Sequence, residues 1–147
     1  MQRRTRGGWT KGSNDRDLER YLTKYAKVYG GWPIVDVTHA KCRECGGAVF
    51  SVILDDDEGC AVRTCTRCAT QLAMFDSAMY VAEAEFEDAA CPCGNESFFV
   101  AGAMAKGSDG EIRWVFVGLR CAVDNILGSY ADWKIDSFPT DELRRSA

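Results

Sequence analysis

Six of the eight cysteines in this 147-residue chain fall into short pairs. Cys42 and Cys45 are separated by two residues, and so are Cys65 and Cys68, with nineteen residues between the pairs. Two thiolates at that spacing in a tight turn point at one ion, and a glycine just after the pair, as in "CRECGG", lets the turn close. The C-x2-C…C-x2-C arrangement is a zinc spacing. Cys42, Cys45, Cys65 and Cys68 are therefore expected to hold Zn2+ through four thiolates. An iron site of rubredoxin type uses the same ligands and is not separated from zinc by spacing. A redox C-x-x-C belongs near a βαβ pattern, which is missing here.

A second set is less complete. Cys91 and Cys93 sit in "CPCG", and Cys121 follows after twenty-seven residues. Three positions beyond Cys121 stands Asp124, where a cysteine would match the first set. Four readings are open: Asp124 is the fourth ligand, since a carboxylate oxygen binds zinc at a length like that of imidazole; His39 reaches across; Cys60 does so; or the set holds no metal. His39, in "VTHAKC", also reads as a residue beside the first site, and Cys60 as a small packed side chain.

The same residues argue against catalysis. Four thiolates close a zinc coordination sphere, whereas catalytic zinc keeps an open position. A zinc deaminase needs His-x-Glu before its cysteines, and there is none. With His39 the only histidine, nucleophilic triads have one candidate base and no nucleophile elbow beside it. No glycine-rich phosphate loop follows a strand. "DWK" in residues 132–134 is too short a match to a nuclease site to carry weight. The expectation is a protein that is not an enzyme.

The cysteines need elements to carry them. "AVFSVIL" (48–54), the breakers "DDDEG" (55–59) and "CAVRT" (60–64) read as a hairpin with a solvated tip. "ESFFVAGAMA" (96–105), "KGSDG" (106–110) and "EIRWVFVGLR" (111–120) read as a second. In the latter, Ile112, Trp114 and Phe116 alternate with Arg113, Val115, Val117 and Leu119, so both faces are largely apolar and the strand is expected to be buried on both sides. "QLAMF" (71–75) and "YADWKID" (130–136) supply a third strand to each unit. Each unit thus runs knuckle, strand, turn, strand, knuckle, strand.

On "CRECGG", "CTRC", "CPCG" and "RCAVD", the chain resembles the zinc-ribbon family over residues 40–136. The resemblance implies a small β-rich, metal-stabilised fold: an N-terminal α-helix followed by two tandem three-stranded ribbon-like units. It gives Asp124 the ribbon's own fourth ligand position, and it implies one zinc, or two if the second unit is loaded. Such hairpins are marginal alone in water, and zinc contributes on the order of 10 kcal/mol to folding.

The expected organisation is a flexible basic tail (1–13), an amphipathic helix and turn (14–33), a first ribbon (34–79), a bridge (80–90), a second ribbon-like unit (91–138) and a frayed tail (139–147). The helix reading rests on Leu18, Tyr21, Leu22, Tyr25, Ala26 and Tyr29, which recur with helical period. Capping residues precede them, and "GGWP" (30–33) ends the run.

Charge is uneven. Residues 1–29 carry a net +5 and the remainder −9. The acidic body favours a protein partner and an adaptor or accessory role in a larger assembly. The alternative is a nucleic-acid-binding accessory of transcription or translation, with Arg3, Arg4, Arg6, Arg16, Arg20, Lys24 and Lys27 on phosphates. The plain reading of the same cations is a solubilising tail and a solvated helix face. Trp133 and Phe138 are the candidates for an exposed partner patch. No apolar run approaches the ~18–20 residues of a membrane span. The basic N-terminus lacks the apolar stretch of a secretory signal, so a cytoplasmic, reducing setting is expected.

Overall fold

Alternating apolar sets with breakers between them give strands, and a computed structural model of the chain describes nine of them, in residues 3–5, 10–31, 33–136 and 139–147. The strands are β1 (Arg3–Thr5), β2 (Ile34–His39), β3 (Phe50–Asp55), β4 (Cys60–Cys65), β5 (Gln71–Ala73), β6 (Glu87–Ala90), β7 (Phe98–Lys106), β8 (Ile112–Cys121) and β9 (Leu127–Lys134). The helices are α1 (Asp15–Tyr25) and α2 (Thr140–Arg145). The protein is mostly antiparallel β with one N-terminal helix.

The antiparallel run β7–β8–β9 is the centre of the fold. Alternation gives β7 two faces. Ala101, Ala103 and Ala105 join Phe116 and Leu127 under α1, which lays Leu18 and Leu22 on them, with Ala26 just beyond its end. Val100, Met104, Val115, Val117 and Leu119 face the other way, into a core with Phe50, Val52, Leu54, Met74, Phe75 and Tyr130. The small alanines let the helix lie close. Gly118 does the same on β8, where a Cβ would stand 2.6–2.9 Å from three Leu22 atoms. Leu18 and Leu22 are fully buried, and each contributes roughly 1.5–3 kcal/mol.

The two hairpins are not separate bodies. β2 pairs with β7 along Ile34–His39, although it precedes the first cysteine knuckle. β3 pairs with β4 along one edge; at its other edge it meets β7 at Phe50↔Phe98 and β6 at Ile53↔Asp88. All nine described strands therefore join one branched sheet.

Several segments differ from expectation. Arg3–Thr5, read as part of a flexible tail, form a strand parallel to β6, with Arg3 in register with Asp88. The frayed end is α2, whose Leu143 is fully buried. Arg63 donates to the Ala147 carbonyl at 3.3 Å, Phe75 N to Ser146 O at 2.7 Å, and Arg144 pairs with Asp36. The "DDDEG" tip is docked: Asp56 accepts from Asp132 N at 3.1 Å, and Gly59 (φ +80°) has no room for a Cβ against the Trp133 ring. These contacts join residues far apart in sequence, which local pattern does not reveal.

α1 begins as the sequence implies, with Asn14 accepting from Asp17 N at 2.9 Å. It ends otherwise. Ala26–Gly30 form a widened π-type turn closed by Gly31 (φ +78°). The wider turn rotates Tyr29 off the buried face, so it is 73% exposed, and Val28 beside it is 64% exposed. No helix among the described residues is long and apolar enough to cross a membrane.

Candidate metal centres

Four chain reversals, one at each end of the two hairpins, follow one backbone plan. In the first, Cys42 N donates to Gly47 O at 2.8 Å and Gly46 N to Cys42 O at 2.9 Å. In the second, Cys65 N donates to Thr70 O and Ala69 N returns to Cys65 O, both at 2.9 Å. In the fourth, Cys121 N donates to Ile126 O at 3.0 Å and Asn125 N to Cys121 O at 3.1 Å. The third, shortened by one residue, has Cys91 N to Asn95 O and Gly94 N to Cys91 O, both at 2.8 Å. Each reversal closes through one residue of positive φ: Gly46 (+75°), Ala69 (+64°), Gly94 (+95°) and Asn125 (+67°). On this plan Asp124 occupies the place held by Cys45 and Cys68.

The reversals bring their donor atoms together in two groups. Cys42, Cys45, Cys65 and Cys68 form one; Cys91, Cys93, Cys121 and Asp124 form the other. Within each group the candidate ligand atoms all lie within 4.8 Å of one another. Sulfur separations are 3.4 Å for Cys42–Cys68, 3.5 Å for Cys45–Cys65 and 3.7 Å for Cys93–Cys121. Asp124 places its carboxylate oxygens 3.4 and 3.7 Å from Cys91 Sγ. Thiolates at ~2.3 Å around a tetrahedral ion are about 3.8 Å apart, so both groups are of ion-binding size. All eight thiols are free of disulfides.

Neighbours orient the donors. Gly47 matters by its size, because a Cβ there would sit 3.3 Å from both Cys45 Sγ and Cys65 Sγ. Cys68 Sγ lies 3.1 Å from Thr70 Oγ1. Asn95 Nδ2 donates to Cys121 Sγ at 3.1 Å and Val123 N donates to it at 3.4 Å. Ile126 N donates to Asp124 Oδ1 at 3.2 Å. Of these neighbours, only the glycines had a signal in the sequence. Asn95, Thr70 and the left-handed Ala69 and Asn125 become meaningful once the reversals are aligned.

Electrostatics within the groups is divided. The backbone N–H of Cys45 favours the Cys42 thiolate and brings its pKa down to about 6. The N–H of Cys68 likewise lowers Cys65. Cys45 receives the Gly47 N–H, which lowers it, yet Cys65, burial, Cys68 and Cys42 together push it up to about 11. In the second group burial pushes the Cys91 thiol up. Asp124 is held low: burial opposes its charge, but hydrogen bonds from Cys121, Ile126 and Cys93 outweigh it. Each group thus sets at least one readily ionised donor beside a thiol that resists ionisation, the effect of burial and of crowding several acidic groups together.

The other candidates stand elsewhere. His39 belongs to neither group; its Nε2 lies 3.1 Å from Glu19 Oε2 and its Nδ1 3.9 Å from Asp15 Oδ1. Cys60 is also outside both, fully buried with Sγ 3.5 Å from Ser77 O, and burial raises its pKa. Trp133, expected in an exposed patch, is 7% exposed. Its Nε1 donates to Asp76 at 2.9 Å and its ring meets Phe75 edge-on, because this small fold uses its large aromatics as core. Phe138 and Arg6 lie outside the described residues, and for Arg3 and Arg4 only the backbone is described. Arg16, Arg20, Lys24 and Lys27 are exposed along α1 and its π turn.

Comparison with protein-family models, with curated proteins and with solved structures returns no match.

Proposed function

We propose that this chain is a double zinc-ribbon protein: a non-enzymatic binding module, held in shape by two zinc ions, that serves as an adaptor or accessory subunit of a larger assembly. The observation that carries the reading is the shared plan of the four reversals, which delivers four donors to each of two groups. Thiolates favour zinc over the hard, oxygen-seeking cations calcium and magnesium. The carboxylate corner at Asp124 makes the second zinc the weaker and more exchangeable one.

Three features support a structural role. Four thiolates satisfy the tetrahedral preference of zinc at the first group and leave it no open position. The only histidine is engaged by Glu19 and Asp15. Cys60, the one cysteine outside the groups, is buried and carries a raised pKa, which makes it a poor nucleophile.

The acidic body supports a protein partner. The burial of Trp133 removes the aromatic anchor that the sequence suggested, so that reading rests on charge. A nucleic-acid partner is favoured by a different observation, the four exposed cations of the N-terminal helical segment.

Chelation tests the module reading. Stripping metal from the full chain is expected to abolish its near-UV circular dichroism, and zinc to restore it, because metal binding supplies folding energy. Retention of the native tertiary signal by metal-free protein contradicts it.

A further inference from the structure

We propose that the exposed edge of α1 and its π turn is a docking track for single-stranded nucleic acid, with phosphates along Arg16, Arg20, Lys24 and Lys27 and a base in the tyrosine cleft beside Lys24. The inference rests on the binding-module reading and names the partner of that module.

The cations are uncommitted. Among the described residues, no carboxylate lies within ion-pair distance of any of the four. The acids of the same helix are engaged: Glu19 by His39, Asp15 by His39 and Arg120 at 3.9 and 4.0 Å, and Asp17 by the Ser13 N–H at 2.9 Å. Arg16, Arg20 and Lys24 follow one another at one-turn intervals, about 6 Å along the axis. That is close to the phosphate repeat of an extended single strand.

Flat apolar surface stands beside the charge. Tyr21, Tyr25 and Tyr29 form a ladder with centroid separations of 6.2 and 4.7 Å. A cleft of about 300 Å³ is lined by Thr10, Tyr21, Lys24, Tyr25, Val28 and Tyr29. Lys24 also lines the groove that carries the other three cations, so charge and ring surface meet at one side chain. Tyr29 stands on the π turn beside Tyr25 and is exposed, and such turns recur at functional sites. Stacking on aromatics together with neutralised phosphates is how unpaired strands are held. A duplex keeps its base faces covered, and an acidic protein segment would use the cations without the cleft.

The test uses the full, zinc-loaded chain and a short fluorescent oligothymidine followed by anisotropy, with a duplex of equal length and poly-glutamate as competitors. The strand is expected to bind more tightly than the duplex, and less tightly as salt rises. Arg20→Ala with Lys24→Ala should shrink the log–log salt slope by about 1.4. Tyr29→Ala should weaken binding about tenfold with the slope unchanged, and Tyr29→Phe should restore it. Absence of strand binding at low salt overturns the inference. So does displacement by poly-glutamate as readily as by unlabelled strand, with Tyr29→Ala silent. Zinc counted in the same samples separates the two readings: a chain that holds its zinc and ignores the strand fails this inference alone, whereas a chain without zinc fails the module reading.

Discussion

Ala69 and Asn125 hold the same backbone position in two different reversals. Each is the fourth residue after a cysteine of a candidate donor group, each returns its N–H to that cysteine's carbonyl, and their φ angles are +64° and +67°. The positions are equivalent but the residues are not. Asparagine tolerates the left-handed region, whereas alanine is strained there by roughly 1–2 kcal/mol.

Ala69→Gly is therefore expected to stabilise the zinc-loaded chain by about 0.5–1 kcal/mol, the relief of strain being partly offset by the freer unfolded chain. Asn125→Ala should destabilise by about 2–3 kcal/mol, since it adds that strain and removes the acceptor of a 2.9 Å bond from Arg120 Nη1. Urea unfolding of both variants checks the pair. Equal effects of the same sign would show that the two reversals are not equivalent.

The seating of α1 depends on Gly118. A side chain there meets buried Leu22, so Gly118→Val should cost about 1–3 kcal/mol. Leu22→Ala made in the same chain should recover part of that loss in a double-mutant cycle, because the two changes act on one contact. Additive losses would mean that the contact is not the cause.

Asp76 gives the stability a pH signature. It is 5% exposed and accepts from Trp133 Nε1; burial raises its pKa, against the lowering effect of that hydrogen bond. The folded chain therefore holds this proton more tightly than the unfolded chain. Its stabilising contribution is complete below the ordinary carboxylate pKa and is lost as pH rises through the folded value. Asp76→Asn keeps an acceptor for Trp133 and has no proton to lose. Relative to the parent, the variant should gain stability as pH rises from about 4 toward neutrality. A difference that is flat with pH, read from parallel denaturant titrations, would remove Asp76 from the account.

What the sequence made legible was local. Spacing placed seven cysteines and Asp124 in turns, and alternation marked the central hairpin, because a ligand pair and a strand each declare themselves within a few residues. Long-range docking had no such signature. Nothing near Arg3 announces Asp88 as its neighbour, and nothing in "TDELRR" announces that Leu143 is buried. Trp133 read as available because its partners, Gly59, Phe75 and Asp76, lie 57 or more residues away. Tyr29 was misplaced for a subtler reason: helical period assigned it to the buried face, and one π turn rotated it out.

The central claim is that Asp124 is the fourth corner of a second zinc site. Native mass spectrometry of the purified full chain measures it directly by counting bound zinc. The account predicts two zinc ions per chain, one in Asp124→Ala and two again in Asp124→Cys. One zinc in the unmodified chain, or two retained by Asp124→Ala, would contradict it.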